Sequence, residues 1–247
     1  MKMHVIASGS KGNASIIYND ETVILVDMGI TRIRLSEGLK EINKSIKDIN
    51  YVFFTHEHSD HIKGAQYSPT KLFYSRAGTL PLIEDHELEL FKEYYFNSIK
   101  VITLLTSHDA TSPCGFLFKD KENSIVYLTD SGYIPDVTLK AIMNKDYYFI
   151  ESNHDVEMLI NSSRPEVLKK RILSDLGHLS NEQSAHYMTL LVGDKTKGIM
   201  LAHLSEECNT PEKAIETYRN IFDEEGLSLR NIKLSCAKQY ESVDFII

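Results

Sequence analysis

Short runs of β-branched and aromatic residues recur along this chain, set apart by polar turns, and several of them end on a histidine or an aspartate. The run at 51–54 leads into Thr55-His56-Glu57-His58-Ser59-Asp60-His61, and the run at 101–105 leads into Ser107-His108-Asp109. Residues 124–128 precede Thr129-Asp130, residues 147–150 precede Glu151-Ser152-Asn153-His154, and residues 199–202 precede His203. Runs of this length and composition predict buried strands. Further strands are expected at 3–7, 71–74, 115–118 and 232–234, with a hairpin of 15–18 and 22–26 around Asn19-Asp20. Helical spacing predicts helices at 31–40, 135–143 and 211–222, another starting near Ser180 or Asn181, and a mostly helical excursion over 79–96. The chain shows no repeat, low-complexity tract or linker, so one α/β domain over residues 1–247 is expected.

Ligand-bearing strand ends from across the chain are expected to converge on one edge of a sheet, where α/β proteins commonly place their sites. His56 and His58 are two apart at a strand end, so both imidazoles leave from the same face. Asp60 and His61 follow at the turn, giving three nitrogen ligands and a carboxylate suited to one or two borderline divalent cations. Of the ten histidines, His4, His86 and His186 fall outside such positions and are read as structural or surface residues. Asp27, ending the run at 22–26, reads either as a helix cap or as a carboxylate supporting the metal ligands. The loop Ser8-Gly9-Ser10-Lys11-Gly12-Asn13 reads either as an anion cradle or as a tight turn between strands, since it lacks the closing Gly-Lys-Ser/Thr of a P-loop.

Composition narrows the class. With 42% hydrophobic and 25% charged residues the chain is that of an ordinary globular protein, and no apolar run approaches a membrane span. The first seven residues are too short for a signal-peptide core, and three scattered cysteines give neither a disulfide framework nor zinc-ribbon spacing, so a reducing cytoplasm is expected. A net charge of −8 argues against a general nucleic-acid coat protein, although two cations and a local basic patch can supply the field a nuclease needs. Arg164, Lys169, Lys170 and Arg171 form such a basic run, read either as a solvated helix face or as phosphate contacts.

The order His56-x-His58-x-Asp60-His61, then His108, Asp130 and His203, with an early Asp27, resembles the metallo-β-lactamase superfamily over essentially the full length. The strings Glu-Ser-Asn-His-Asp at 151–155, Gly-His-Leu-Ser-Asn at 177–181 and Ala-His-Leu-Ser at 202–205, together with the loop at 8–13, resemble its bacterial YycJ/WalJ branch. Members of that branch are described as metal-dependent 5′-to-3′ DNA exonucleases. The resemblance implies a four-layer αβ/βα sandwich. It also implies a first metal site of His56, His58, His108 and a bridging Asp130, and a second of Asp60, His61, Asp130 and His203. Zn²⁺ is the default ion and Mn²⁺ the alternative, because every ligand offers nitrogen or oxygen.

In such a centre, two cations about 3.5–4 Å apart hold a hydroxide as nucleophile and neutralise phosphoryl oxygens. Asp60 and His154 are expected to serve catalysis, His154 as general acid oriented by Asp155 or Glu151, while His178 binds a phosphate oxygen. The expected substrate is nucleic acid, DNA ahead of RNA, with no obligate protein partner and no membrane. The alternatives are an RNA-processing nuclease or a small-molecule hydrolase acting on a cyclic phosphodiester or a lactone. Asp130, where many zinc β-lactamases carry Cys, argues against lactam chemistry. His58, where iron flavoprotein relatives typically carry Glu, argues against electron transfer.

Overall fold

The computed structural model describes residues 1–81 and 86–246. Two sheets lie face to face. The first contains β1 (Lys2–Ala7), β2 (Ala14–Tyr18), β3 (Val23–Val26), β4 (Tyr51–Phe53) and β5 (Phe73–Tyr74), and the last strand of the chain lies beside β1. The second contains β6 (Glu93–Phe96), β7 (Ile99–Leu105), β8 (Cys114–Lys119), β9 (Ser124–Leu128), β10 (Tyr147–Glu151), β11 (Gly198–Ala202) and β12 (Lys233–Cys236), side by side in that order. That last strand of the first sheet is β13 (Val243–Ile246), antiparallel to β1. Besides three short 3₁₀ turns, the described residues hold seven α-helices: α1 (Arg32–Glu41), α2 (Ser59–Ile62), α3 (Asp136–Ile142), α4 (Val156–Asn161), α5 (Glu166–Ile172), α6 (Asn181–Leu191) and α7 (Pro211–Glu224).

Three apolar layers follow from the alternation along the strands. Val5, Ile17, Val26 and Phe53 of the first sheet meet Phe116, Tyr127, Phe149 and Met200 of the second to form the central layer. The outer face of the first sheet, with Ile16, Leu25 and Val52, is covered by Leu35 and Leu39 of α1. The outer face of the second, with Val126, Tyr148 and Ile199, is covered by Ile142 of α3, Met188 of α6 and Tyr218 and Phe222 of α7. The chain is therefore the expected αβ/βα sandwich. Each large sheet is buried on both faces, which is why its strands read as continuous apolar runs.

Two expectations fail. Residues 79–96 hold no α-helix among the described residues, and positions 82–85 of that span lie outside them. Tyr94, Tyr95 and Phe96 belong instead to β6, which turns through Asn97, at φ 52°, into antiparallel pairing with β7. Aromatic residues suit a half-buried sheet edge, and that pairing outweighs the helix-forming glutamates nearby. The strand at 232–234 is also not the last, because β13 returns to cover the edge of β1.

β9, β10, β11 and β12 run parallel, as do β3, β4 and β5, so their C-terminal ends share one rim. Asp27 follows β3, while Asp130 and His203 follow β9 and β11. All three take left-handed backbone angles, with φ of 57°, 56° and 55°. Non-glycine residues seldom adopt this conformation, and its concentration at one rim marks a built site.

Candidate metal centre

His56 and His58 leave the end of β4, and α2 then carries Asp60 and His61 back beneath them. That approach requires Gly29, where a Cβ atom would sit 1.5 Å from the Asp60 carbonyl oxygen. His108 follows β7, Asp130 follows β9 and His203 follows β11. The structure gathers these residues into overlapping groups whose ligand atoms lie within 4.8 Å of one another: His56 with His58 and His108, His56 with His61 and Asp130, and Asp60 with His61 and His203. Asp130 also groups with Glu151, His178 and His203.

Each of four imidazoles has its Nδ1 held by an oxygen. The His56 Nδ1 lies 3.0 Å from Thr55 Oγ1, and the Thr55 hydroxyl in turn donates to the buried Asp27 carboxylate. The His61 Nδ1–H donates to Asp27 Oδ2 at 2.8 Å, that of His108 to the Gly177 carbonyl at 3.0 Å, and that of His203 to Glu151 Oε1 at 3.2 Å. Such partners fix the tautomer and turn Nε2 toward the centre, which is how metal-binding imidazoles are held. The His56 Nε2, His203 Nε2 and Asp130 Oδ2 atoms are buried without a hydrogen-bond partner. Orphaned buried polar atoms are costly, and cations held in the groups they belong to would satisfy them. The residues present fit a divalent metal centre. Of the two readings of Asp27, the structure supports the carboxylate that braces ligands.

Burial and mutual repulsion push the His56 imidazole well below its ordinary pKa, and burial also lowers that of His108. Burial acts in the same direction on His203, but the Asp130, Asp60 and Glu151 carboxylates outweigh it and lift the group to about 10. Asp27 and Asp130 likewise overcome burial at His61 and raise it. At Asp60 and Glu151 burial favours the neutral acid, yet the neighbouring histidines hold both carboxyls below their usual range. His203 thus holds a proton that a cation on its Nε2 would replace.

His178 reaches the centre from the loop before α6. Its Nδ1–H donates to Glu151 Oε1 at 2.7 Å, its side chain is 16% exposed, and its ring lies 5.0 Å from that of His108 and 5.3 Å from that of His203. Glu151 itself is fully buried. His154, expected to be the general acid, is fully buried instead; among the described residues its ring makes one hydrogen bond, a 3.4 Å contact with Asn153 Oδ1, and it lies in none of the ligand groups. Burial lowers its pKa to about 4. The sequence offered Glu151 as a partner for His154, and the fold gives it to His178 and His203.

The basic run is split by its environment. Lys169 is buried, its ammonium donating to the Ile160 carbonyl at 2.7 Å and pairing with Glu166 at 3.1 Å, so it braces the end of α4 and does not face a ligand. Arg171 Nε donates to Asp109 Oδ2 at 2.5 Å, beside His108, and stays half-exposed. Arg164 bonds Glu207 at 2.9 Å and Ser205 at 3.4 Å, two residues past His203. Lys170 is exposed. The anion-cradle reading of the loop at 8–13 fails too. The backbone N–H groups of Ser8, Gly9, Lys11, Gly12 and Asn13 are all taken by Lys238, Asn13, Gln239, Gly9 and Asp60.

Residues 7–95 match the family model of the metallo-beta-lactamase superfamily. The chain is 38% identical over 234 residues to the exodeoxyribonuclease WalJ of Streptococcus pneumoniae serotype 2, covering 89% of this chain and 87% of that protein. It is 34% identical over 238 residues to the exodeoxyribonuclease YycJ of Bacillus anthracis, covering 91% and 90%. In fold it is similar to the metallo-beta-lactamase fold protein YhfI of Bacillus subtilis, with a TM-score of 0.69 at 14% identity over 99% of this chain and 100% of that one. A diphosphatase of the PhnP family superposes with a TM-score of 0.65 at 18% identity, over 99% and 98%.

Proposed function

Because the chain belongs to the metallo-β-lactamase superfamily, within the family of the WalJ and YycJ exodeoxyribonucleases, we propose that it is a metal-dependent DNA exonuclease working in the 5′-to-3′ direction. The observation that carries the hydrolytic reading is the set of imidazoles whose Nδ1 atoms are held outward by oxygens while Nε2 of His56 and His203 remains unpartnered beside Asp130. His56, His58 and His108 would hold one ion, Asp60, His61 and His203 a second, and Asp130 would serve both. When bound, two such ions supply an ionised water as nucleophile and neutralise the phosphoryl oxygens.

The protein's own groups do the rest. His178 stands at the open side of the centre, and Glu151 fixes its Nδ1 as the protonated nitrogen, so Nε2 faces the substrate side. We assign to His178 the proton delivered to the departing oxygen, the role first expected of His154. Glu151 supports it by holding the ring in place through Nδ1. Arg164, Lys170 and Arg171 would meet the DNA backbone beyond the scissile phosphate, offsetting the overall charge of −8.

End-labelled single- and double-stranded DNA and RNA, a cyclic phosphodiester and a lactam, each incubated with protein loaded with Zn²⁺ or Mn²⁺, test the reading. Mononucleotides released progressively from 5′ ends of DNA are expected. Cleavage confined to the cyclic phosphodiester, or to RNA, would overturn it.

A further inference from the structure

The loop Ser8–Asn13, left without a role once its anion-cradle reading fails, touches the residues of only one of the two ligand groups. The Ser8 Oγ accepts the backbone N–H of His203 at 2.9 Å. The Asn13 Nδ2 donates to Asp60 Oδ2 at 3.3 Å and lies 3.0 Å from His61 Nε2, the nitrogen that would face a cation. The Asn13 backbone N–H bonds the Asp60 carbonyl at 2.8 Å, and its carbonyl accepts from Gly29 at the same distance. Among the described residues, no hydrogen bond from positions 8–13 reaches His56, His58 or His108.

The loop is itself anchored. Asn13 Oδ1 takes the Gly9 N–H at 2.8 Å, Ser8 N–H bonds the Lys238 carbonyl at 3.0 Å, and Gln239 spans Gly12 and Lys11 at 3.0 Å each. Ser8 and Asn13 are almost wholly buried.

We infer that Ser8–Asn13 is a strap that positions Asp60, His61 and His203 for the second divalent cation, with Asn13 as its positioning residue. The inference rests on the two-ion reading above. With an ion on His61 Nε2 the Asn13 amide would give up that nitrogen and keep its bonds to Asp60 Oδ2 at 3.3 Å and the Gly9 carbonyl at 3.1 Å, so Asn13 holds the carboxylate ready from an anchored position. A carboxylate oxygen that accepts an amide N–H keeps its other lone pairs for the ion.

The test is metal binding, read without activity. Chelated wild-type protein, Asn13→Ala and Ser8→Ala are titrated with Zn²⁺ alone in equilibrium dialysis and counted by native mass spectrometry, with circular dichroism checking the fold. Wild type should take two ions. Asn13→Ala should bind the first with unchanged affinity and the second 10–100-fold more weakly, the usual cost of losing a group that orients a ligand. Ser8→Ala should shift the second constant by about tenfold in the same direction. If Asn13→Ala does not fold, Ser8→Ala decides alone. Two ions bound by the folded variants as in wild type, or equal weakening of both constants, would overturn the strap. A wild type that takes at most one ion overturns the two-ion reading and the strap with it, and is told apart because the deviation is then not in the variants.

Discussion

Glu151, fully buried at the end of β10, accepts the Nδ1–H of His178 at 2.7 Å and that of His203 at 3.2 Å through the same oxygen, Oε1. One carboxylate thus ties the group proposed to move a proton to a proposed ligand of the second ion. His178→Ala should retain both ions while turnover falls roughly 10²–10⁴-fold, the range for a general acid. Glu151→Gln should lower turnover by a similar factor and also weaken the second ion. Steady-state kinetics with metal counting checks both, and a His178→Ala variant that loses metal would make His178 a ligand.

His154→Gln should leave turnover at neutral pH within a few-fold of wild type, and its effect should appear in stability against pH. Its folded-state pKa of about 4 lies below the unfolded value near 6.5. Between those values the unfolded chain binds the extra proton, so stability rises with pH across pH 4 to 6.5 and falls as pH drops through that window. The full difference is of order 3 kcal/mol. Urea unfolding of chelated protein at pH 4.5 and 7 should show that slope in wild type and a flatter one in His154→Gln.

Metal uptake should release protons at pH 7. His203, lifted to about 10, is protonated there in the metal-free protein, and binding requires the neutral ring. Titration calorimetry in buffers of different ionisation enthalpy should report at least one proton released with the second ion, and its affinity should rise with pH. A binding heat independent of the buffer would contradict the pairing of His203 with Asp130 and Glu151.

Each ion should also stabilise the fold. At a free concentration 100 times its dissociation constant, an ion contributes about 2.7 kcal/mol. Asp60→Ala should lose that increment for the second ion and His56→Ala for the first. Thermal melts with and without a chelator measure the difference.

The basic residues should separate into two behaviours. Lys170→Ala and Arg171→Ala should each weaken DNA binding and lower the slope of log affinity against log salt by about 0.7–0.9. Lys169→Ala should leave the salt slope alone and lower stability, because its ammonium is committed to Ile160 and Glu166. Fluorescence anisotropy over a salt series distinguishes them.

What the sequence determined by itself is local. His56, His58, Asp60 and His61 lie within six positions, and each distant ligand closes an apolar run, so both the strands and the ligands they carry were legible from pattern alone. The sandwich was implied by the family resemblance that those ligands carry, and strands buried on both faces agree with it. What only the tertiary structure decided is which long-range partner each polar group finds. Glu151 meets His178 across 27 positions and His203 across 52, not its neighbour His154, because β10 and β11 run parallel and turn their C-terminal ends to the same rim. The loop at 8–13 braces His203 across 195 positions. Lys169 turns inward although its neighbours in the same run face solvent. Residues 93–96 joined a sheet edge against the helix-forming preference of the glutamates nearby. Spacing along a chain constrains contacts within a turn or a strand. Contacts across elements are set by sheet order and packing, which no local pattern encodes.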